Sequence, residues 1–126
     1  MSSYLTISLR PKGSERDLSI LSYSRNSEFY EVFFENTTES QGELTKEKID
    51  RIISEMENQI SKDKEQLHKY HELAKYNTQY SEDYLSFGEY VDDEIAAYNK
   101  IKTIQDIVHD TYDGFNGFES VNWKIE

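Results

Sequence analysis

The stretch NQISKDKEQLHKYHELA, residues 58–74, decides how this chain folds. Its apolar residues recur at helical spacing and continue a seam that begins upstream, made of Ile49, Ile53, Met56, Ile60, Asp63, Leu67, Tyr70 and Ala74. The steps along this seam alternate between four and three residues, which is the heptad pattern of a coiled-coil helix. Asp63 is the exception, because it places a carboxylate where an apolar residue is expected.

A second helix with the same pattern follows after a short connection. Its seam consists of Tyr84, Phe87, Val91, Glu94, Tyr98, Ile101, Gln105 and Val108. The short connection predicts an antiparallel helical hairpin over residues 45–112. In such a hairpin the numbers of facing residues sum to about 157. This arithmetic places Asp63 opposite Glu94, so both seams turn polar in the same layer.

The Asp63–Glu94 layer has two interpretations. Two close carboxylates in a low dielectric would titrate as a coupled pair or attract a cation. Alternatively, the second helix rotates slightly, Ile95 takes the seam position, and both carboxylates reach water. Because the seam between only two helices is wet at its edges, we expect the solvated arrangement.

The segments that flank the hairpin predict a small antiparallel sheet. Residues 4–9 alternate between apolar and polar side chains, as in a strand that is buried on one face. Pro11 and Gly13 then mark a turn, and residues 18–24 form a second strand. Residues 120–126 alternate again, which predicts a C-terminal strand that returns to the sheet.

The region between the sheet and the hairpin is less regular. Residues 28–35 fit either a short helix capped by Ser27 or a third strand, and we favour the helix. Residues 37–43 are expected to form a loop. Three polar residues are placed to bound the long helices: Thr45 as an N-cap, Asn77 in the left-handed conformation after the first helix, and Ser81 as the cap of the second.

Together these patterns predict an α+β protein, in which the N-terminal β-hairpin and a C-terminal strand form a small antiparallel sheet packed on the open end of a long antiparallel helical hairpin. We expect one domain over residues 1–126, divided into 1–44 (sheet and short helix), 45–112 (helical hairpin) and 113–126 (C-terminal strand). A helix of about 30 residues is about 45 Å long, more than short strands can cover. The distal half should therefore project, with a partner or self-association surface formed by Tyr76, Tyr80, Tyr84 and Tyr90.

Composition excludes several classes of function. The chain contains no cysteine, which rules out disulfides, cysteine-based zinc sites and thiol catalysis. Its formal net charge of −11 opposes binding to DNA, RNA or anionic membranes through a general positive field. The N-terminus lacks a long apolar run, so we expect neither a signal peptide nor a membrane span. We therefore expect a cytoplasmic protein.

Two charged clusters are candidate binding sites. Acidic residues on the first half of the second helix would mimic nucleic-acid phosphates: Glu82, Asp83, Glu89, Asp92, Asp93 and Glu94. Basic side chains beside a helix N-terminus can hold phosphate, which makes a candidate anion site of Arg10, Lys12, Arg16, Arg25 and Ser27. His68 and His71, with Glu72, also resemble metal ligands. Histidines beside acids are common on solvated helix faces, so we predict no metal or cofactor site.

No nucleophile, base and orienting group can be assembled from the sequence, and it contains no phosphate-loop, dinucleotide-binding or nucleophile-elbow motif. We therefore expect a protein that is not an enzyme. The first hypothesis is a protein-interaction module that associates with itself or with another protein through the helical hairpin. In its small, acidic, cysteine-free form the chain resembles phage or mobile-element accessory proteins. The alternatives are an acidic inhibitor of a nucleic-acid-binding protein and a small anion or nucleotide binder.

Overall fold

The computed structural model describes residues 4–25, 27–35 and 37–126. Its elements, in chain order, are β1 (Tyr4–Pro11), β2 (Leu18–Ser24), α1 (Glu28–Glu35), β3 (Gln41–Glu43), α2 (Lys46–Tyr76), α3 (Tyr80–Tyr112) and β4 (Phe118–Ile125). The four strands form one antiparallel sheet in the order β2-β1-β4-β3. The two long helices pack against each other and against this sheet. The predicted α+β architecture is therefore confirmed.

The alternation of β1 sets which face of the sheet is buried. Leu5, Ile7 and Leu9 point into the core, while the residues between them lie on the opposite, polar face. β4 pairs with β1 in the middle of the sheet and adds Val121 and Trp123 to the same buried face. The inner face of the sheet thus supplies one wall of the hydrophobic core.

The aromatic segment that precedes β3 is a helix, as favoured from the sequence. Ser27 caps α1, because its Oγ accepts a hydrogen bond from the backbone N–H of Tyr30 at 3.2 Å. Phe29 and Phe33 are buried on one face of the helix. The Phe33 ring lies 4.9 Å from that of Trp123 in an edge-to-face arrangement. The aromatic density therefore reflects a short helix that contacts the sheet, not a third strand.

The helices α2 and α3 form the predicted hairpin in the predicted register. The Tyr70 and Phe87 rings meet at 5.6 Å, and Gln105 Nε2 donates to Asp50 Oδ1 at 2.9 Å near the other end. The half of the hairpin next to the sheet supplies seven further core residues: Ile49, Ile52, Ile53, Met56, Ile101, Ile104 and Val108. Within the described ranges, no helix combines the length and the apolar character needed to cross a lipid bilayer.

The predicted caps of the long helices are only partly correct. Thr45 caps α2, since its side chain accepts a hydrogen bond from the N–H three residues later. Asn77 is extended, with φ −148°, so the predicted left-handed conformation is wrong. Its Oδ1 instead accepts from the N–H of Gln79 at 3.1 Å, which tightens the turn. α3 consequently begins before Ser81, and the predicted Ser81 cap is also wrong.

Residues 37–43 are not entirely a loop, which corrects the sequence-based expectation. β3 is a three-residue edge strand that pairs with the outer side of β4. Gly42 lies opposite Trp123, and a Cβ atom at Gly42 would lie 3.1 Å from the indole Nε1. The polar sequence of β3 carries no strand signal of its own, so its pairing with β4 determines its conformation.

We predict that Gly42→Ala destabilises the fold by about 1 kcal/mol, because the added methyl group overpacks against a ring that cannot move away. Trp123 is held by Phe33 at 4.9 Å and by the Lys48 ammonium at 4.6 Å from its ring. Urea unfolding measures the effect. The matched control is Gly117→Ala, whose Cβ would meet no atom within 4 Å. Equal stabilities of the two variants would contradict the close approach at Gly42.

Candidate functional site

The distal part of the helical hairpin extends beyond the hydrophobic core. We call residues 61–93, which include the turn between α2 and α3, the arm. Buried apolar residues of α2 end at Ile60, and the core residues of α3 begin at Ile101. Within the arm, Val91 is the one apolar side chain that is fully buried. The sheet and α1 therefore pack mainly on the proximal half of the hairpin, and α1 shares a pocket with Tyr90 of the arm.

Apolar side chains on the arm are consequently left open to solvent. The seam residues Leu67, Tyr70, Tyr84 and Phe87 are only half-buried. Of the four predicted partner-surface tyrosines, Tyr80 and Tyr84 are half-buried and Tyr76 and Tyr90 are exposed. The exposed fractions of the large apolar residues are 43% for Leu73, 88% for Tyr76, 65% for Leu85 and 48% for Tyr90.

Part of this apolar surface is continuous across the two helices. The Tyr70 ring contacts that of Phe87 at 5.6 Å, and Phe87 stacks on Tyr90 at 5.7 Å. Leu73 follows Tyr70 by three positions, just as Tyr90 follows Phe87. In an antiparallel pair this equal spacing places Leu73 and Tyr90 on the same side of the hairpin. An apolar strip therefore crosses the seam from α2 to α3.

The Asp63–Glu94 layer lies at the base of the arm, and it is largely buried. Asp63 is 9% exposed and Glu94 is 7% exposed, so the expectation of a solvated layer is wrong. Gln59 Nε2 donates to Asp63 Oδ1 at 3.0 Å, and Asp63 Oδ2 is buried with no hydrogen-bond partner among the described residues. Ile95 stays half-buried beside the seam. The helix keeps its heptad frame because Val91 and Ile101 are buried on either side of the layer.

The two helices of the arm carry opposite charges. α3 exposes five acids on the arm and no basic residue: Glu82, Asp83, Glu89, Asp92 and Asp93. Glu94 is buried, which removes it from the surface patch predicted from the sequence. The facing part of α2 exposes four lysines: Lys62, Lys64, Lys69 and Lys75. These lysines outnumber the two acids that α2 presents on the arm outside the seam, Glu65 and Glu72.

The residues of the predicted anion site do not come together. Arg10, Lys12 and Arg16 lie near the turn between β1 and β2, whereas Arg25 and Ser27 follow the other end of β2. A seven-residue strand separates the two groups by about 20 Å. Arg10 Nε also donates to the Asp17 carboxylate at 2.8 Å, which occupies that guanidinium. The five residues therefore do not share one site.

A histidine and an aspartate meet between the helices, close to the sheet. His109 Nε2 lies 2.7 Å from Asp50 Oδ1, which also accepts from Gln105 Nε2 at 2.9 Å. Burial raises the pKa of Asp50, but the hydrogen bonds from Gln105 and His109 outweigh it and leave that pKa below its ordinary value. In the described ranges no serine or threonine hydroxyl bonds to His109, so we interpret the pair as a clamp between α2 and α3.

Tyr112 is a structural residue that the sequence does not reveal. Its hydroxyl donates to Glu43 Oε1 at 2.8 Å and accepts from the backbone N–H of Val121 at 3.1 Å. These bonds join the end of α3 to β3 and to β4. Burial and the nearby Glu43 carboxylate raise the pKa of Tyr112 above its ordinary value. The heptad pattern contains no signal for this role.

The fold and its surfaces define an α+β protein with a projecting, two-helix arm. Comparison with known proteins adds no family to this description. No family model matches the chain, and neither a curated protein nor a solved structure is significantly similar to it. The functional argument therefore depends on the chemistry of the arm.

We predict that Asp63→Leu stabilises the fold by about 1–2 kcal/mol. The buried carboxylate has one oxygen without a hydrogen-bond partner in the described part of the chain, and leucine is the type of residue that the heptad pattern expects at this position. Urea unfolding gives the free energy of unfolding. Asp92→Leu is the control, since Asp92 is an exposed acid of the arm and its loss should change stability by less than about 0.5 kcal/mol. A marked loss of stability in Asp63→Leu would show that the carboxylate has favourable native partners.

Proposed function

We propose that this chain is a protein-interaction module without enzymatic activity, and that it associates with itself through the arm. The apolar strip on the arm is the observation that carries the proposal. Contiguous apolar surface in a soluble protein marks an interaction site, and tyrosine is enriched at such sites because its ring is apolar and its hydroxyl is polar. Tyr76 and Tyr90 belong to this exposed surface.

A second copy of the chain is the partner that the charges favour. The α3 side of the arm is acidic and the α2 side carries an excess of lysines. When two arms pack so that α2 of one copy lies on α3 of the other, each acidic helix meets a basic one. A two-fold axis repeats this contact twice, as in a symmetric homodimer. The product is a four-helix bundle, which would cover the half-buried seam residues of both copies.

The dimensions of the arm are compatible with a small specific interface. Sixteen residues of α2 (61–76) span about 24 Å, and two adjacent helices are about 20 Å wide. One side of the arm therefore offers about 500 Å² per copy, or about 1,000 Å² in total. This area is at the lower limit for specific complexes. We therefore expect a reversible dimer whose population depends on concentration.

The charge distribution supports a second candidate function. Five exposed acids on α3, with no base among them, resemble a line of phosphates and suit an inhibitor of a nucleic-acid-binding protein. Such an inhibitor would expose the acidic helix as a monomer, whereas the proposed dimer covers part of it. The role of a phage or mobile-element accessory protein in the cytoplasm is a further proposal, which rests on the small, acidic, cysteine-free form of the chain.

We predict that the solution mass rises with protein concentration from 14.9 kDa toward twice that value. Replacing Leu73, Tyr76 and Tyr90 together by serine should abolish the rise, because it removes the exposed residues of the apolar strip and the exposed Tyr76 ring one turn beyond Leu73. Light scattering across the micromolar range measures the mass, and circular dichroism checks that the variant is folded. A wild-type mass that stays at 14.9 kDa, or a serine variant that still associates, would contradict the proposal.

Two controls distinguish this interface from non-specific association through exposed apolar residues. Phe115→Ser removes an apolar ring that is 80% exposed but outside the arm, and should leave association unchanged. Charge reversal on the side of the hairpin that carries Leu73 and Tyr90 tests the arrangement: a chain with Lys62→Glu and Lys69→Glu, and another with Asp83→Lys and Asp93→Lys, should each self-associate weakly. An equimolar mixture of the two should associate more tightly than either alone. A mixture no tighter than its components would exclude the packing of α2 on α3.

A further inference from the structure

Three side chains with metal-binding atoms meet near the end of α2. His71 lies three positions and Glu72 four positions after His68, spacings at which the side chains of one helix are neighbours. One ligand atom of each lies within 4.8 Å of the others. Glu72 Oε1 is 4.0 Å from His68 Nε2 and 4.0 Å from His71 Nδ1. The backbone of a single helix therefore brings two imidazoles and one carboxylate together.

Small side-chain movements would bring these atoms into coordination geometry. Tetrahedral zinc binds nitrogen and oxygen at about 2.0–2.2 Å, which places neighbouring ligand atoms about 3.3 Å apart. The observed separations are larger than this by no more than about 1.5 Å. His68 and His71 are exposed, so their rings are free of the core. Rotation about side-chain bonds is sufficient, and the helix does not need to change.

Two neighbouring residues affect the cluster. The His71 ring packs against the Tyr84 ring across the seam at 5.1 Å, which limits the orientations of its imidazole. Lys75 Nζ lies 3.0 Å from Glu72 Oε1 and is the cation that this carboxylate now binds. A metal ion would have to replace that contact. Lys75 is therefore a competitor, and removing its charge should strengthen metal binding.

The ligand set selects the class of metal. Imidazole nitrogen suits Zn²⁺, Ni²⁺ and Cu²⁺, whereas Mg²⁺ and Ca²⁺ prefer ligands that are all oxygen. Contrary to the expectation from the sequence, we propose that His68, His71 and Glu72 form a site for one divalent transition-metal ion such as Zn²⁺, because their ligand atoms lie within 4.8 Å of one another. Three protein ligands leave a coordination position for water or for another molecule. Because the ligands belong to one helix, the site requires no second copy and is independent of the proposed self-association.

Calorimetric titration of the full chain with zinc chloride tests the site. The wild type should bind one Zn²⁺ per chain, and binding should persist in a large excess of Mg²⁺. His68→Ala and His71→Ala should each weaken binding by about tenfold or more, because even the partners of metal ligands contribute at least that factor. His109→Ala is the control, since the sequence contains three histidines and His109 contacts Asp50 outside the cluster. It should bind Zn²⁺ as the wild type does.

Two variants at neighbouring positions should act in opposite directions. Glu72→Gln removes a charged ligand and should weaken Zn²⁺ binding, whereas Lys75→Met should strengthen it by about two- to fivefold, the range of an exposed ion pair. Far-ultraviolet circular dichroism verifies that each variant remains helical. The proposal is overturned if the wild type shows no saturable Zn²⁺ binding. It is also overturned if His68→Ala, His71→Ala or Glu72→Gln binds as tightly as the wild type, or if Lys75→Met binds more weakly.

Discussion

The register of the seam between α2 and α3 is the constraint on which the rest of the structure depends. In an antiparallel pair, the residue numbers of all facing pairs have about the same sum. The contact of Tyr70 with Phe87 near the turn therefore also determines which residues meet at the sheet. There Asp50 receives hydrogen bonds from two residues of α3. A shift by one helical turn would separate these pairs and move buried isoleucines out of the core. The sheet and α1 pack on the surface that this register presents.

A mismatch in length between the long helices and the short strands leaves apolar side chains exposed on the arm. The helices have 31 and 33 residues, whereas the longest strands have eight. The short elements form the core with one half of the hairpin, and the arm keeps apolar side chains that stay partly exposed. The arm also separates charge, with acids on α3 and lysines on α2. The partly exposed apolar strip and the complementary charges are the basis of the proposed self-association.

How much of the fold and of the candidate site can be predicted from the sequence depends on whether the residues involved are near or distant along the chain. The heptads alone place Asp63 opposite Glu94, because spacing along two helices is a local property. The burial of these residues depends on how α3 is rotated by its contacts with other elements, and the sequence favoured the wrong alternative. β3 exists because β4 offers it a partner, and Tyr112 acts through atoms of two distant strands. Asn77 bonds within its turn, which overrides its preference for a left-handed cap.

The distance between spin labels at Ser61 and Ala96 tests the central claim most directly. Both residues are exposed, and their numbers sum to about 157, as expected of residues at the same level of the hairpin. Because the chain has no cysteine, two introduced cysteines are the only labelling sites. Pulsed electron paramagnetic resonance, with labelled chains diluted in unlabelled ones, reports the distance within one chain. Paired helices predict a separation below about 25 Å, since their axes are about 10 Å apart. A separation of about 50 Å, the length of 35 helical residues, would mean one continuous rod and would contradict the account.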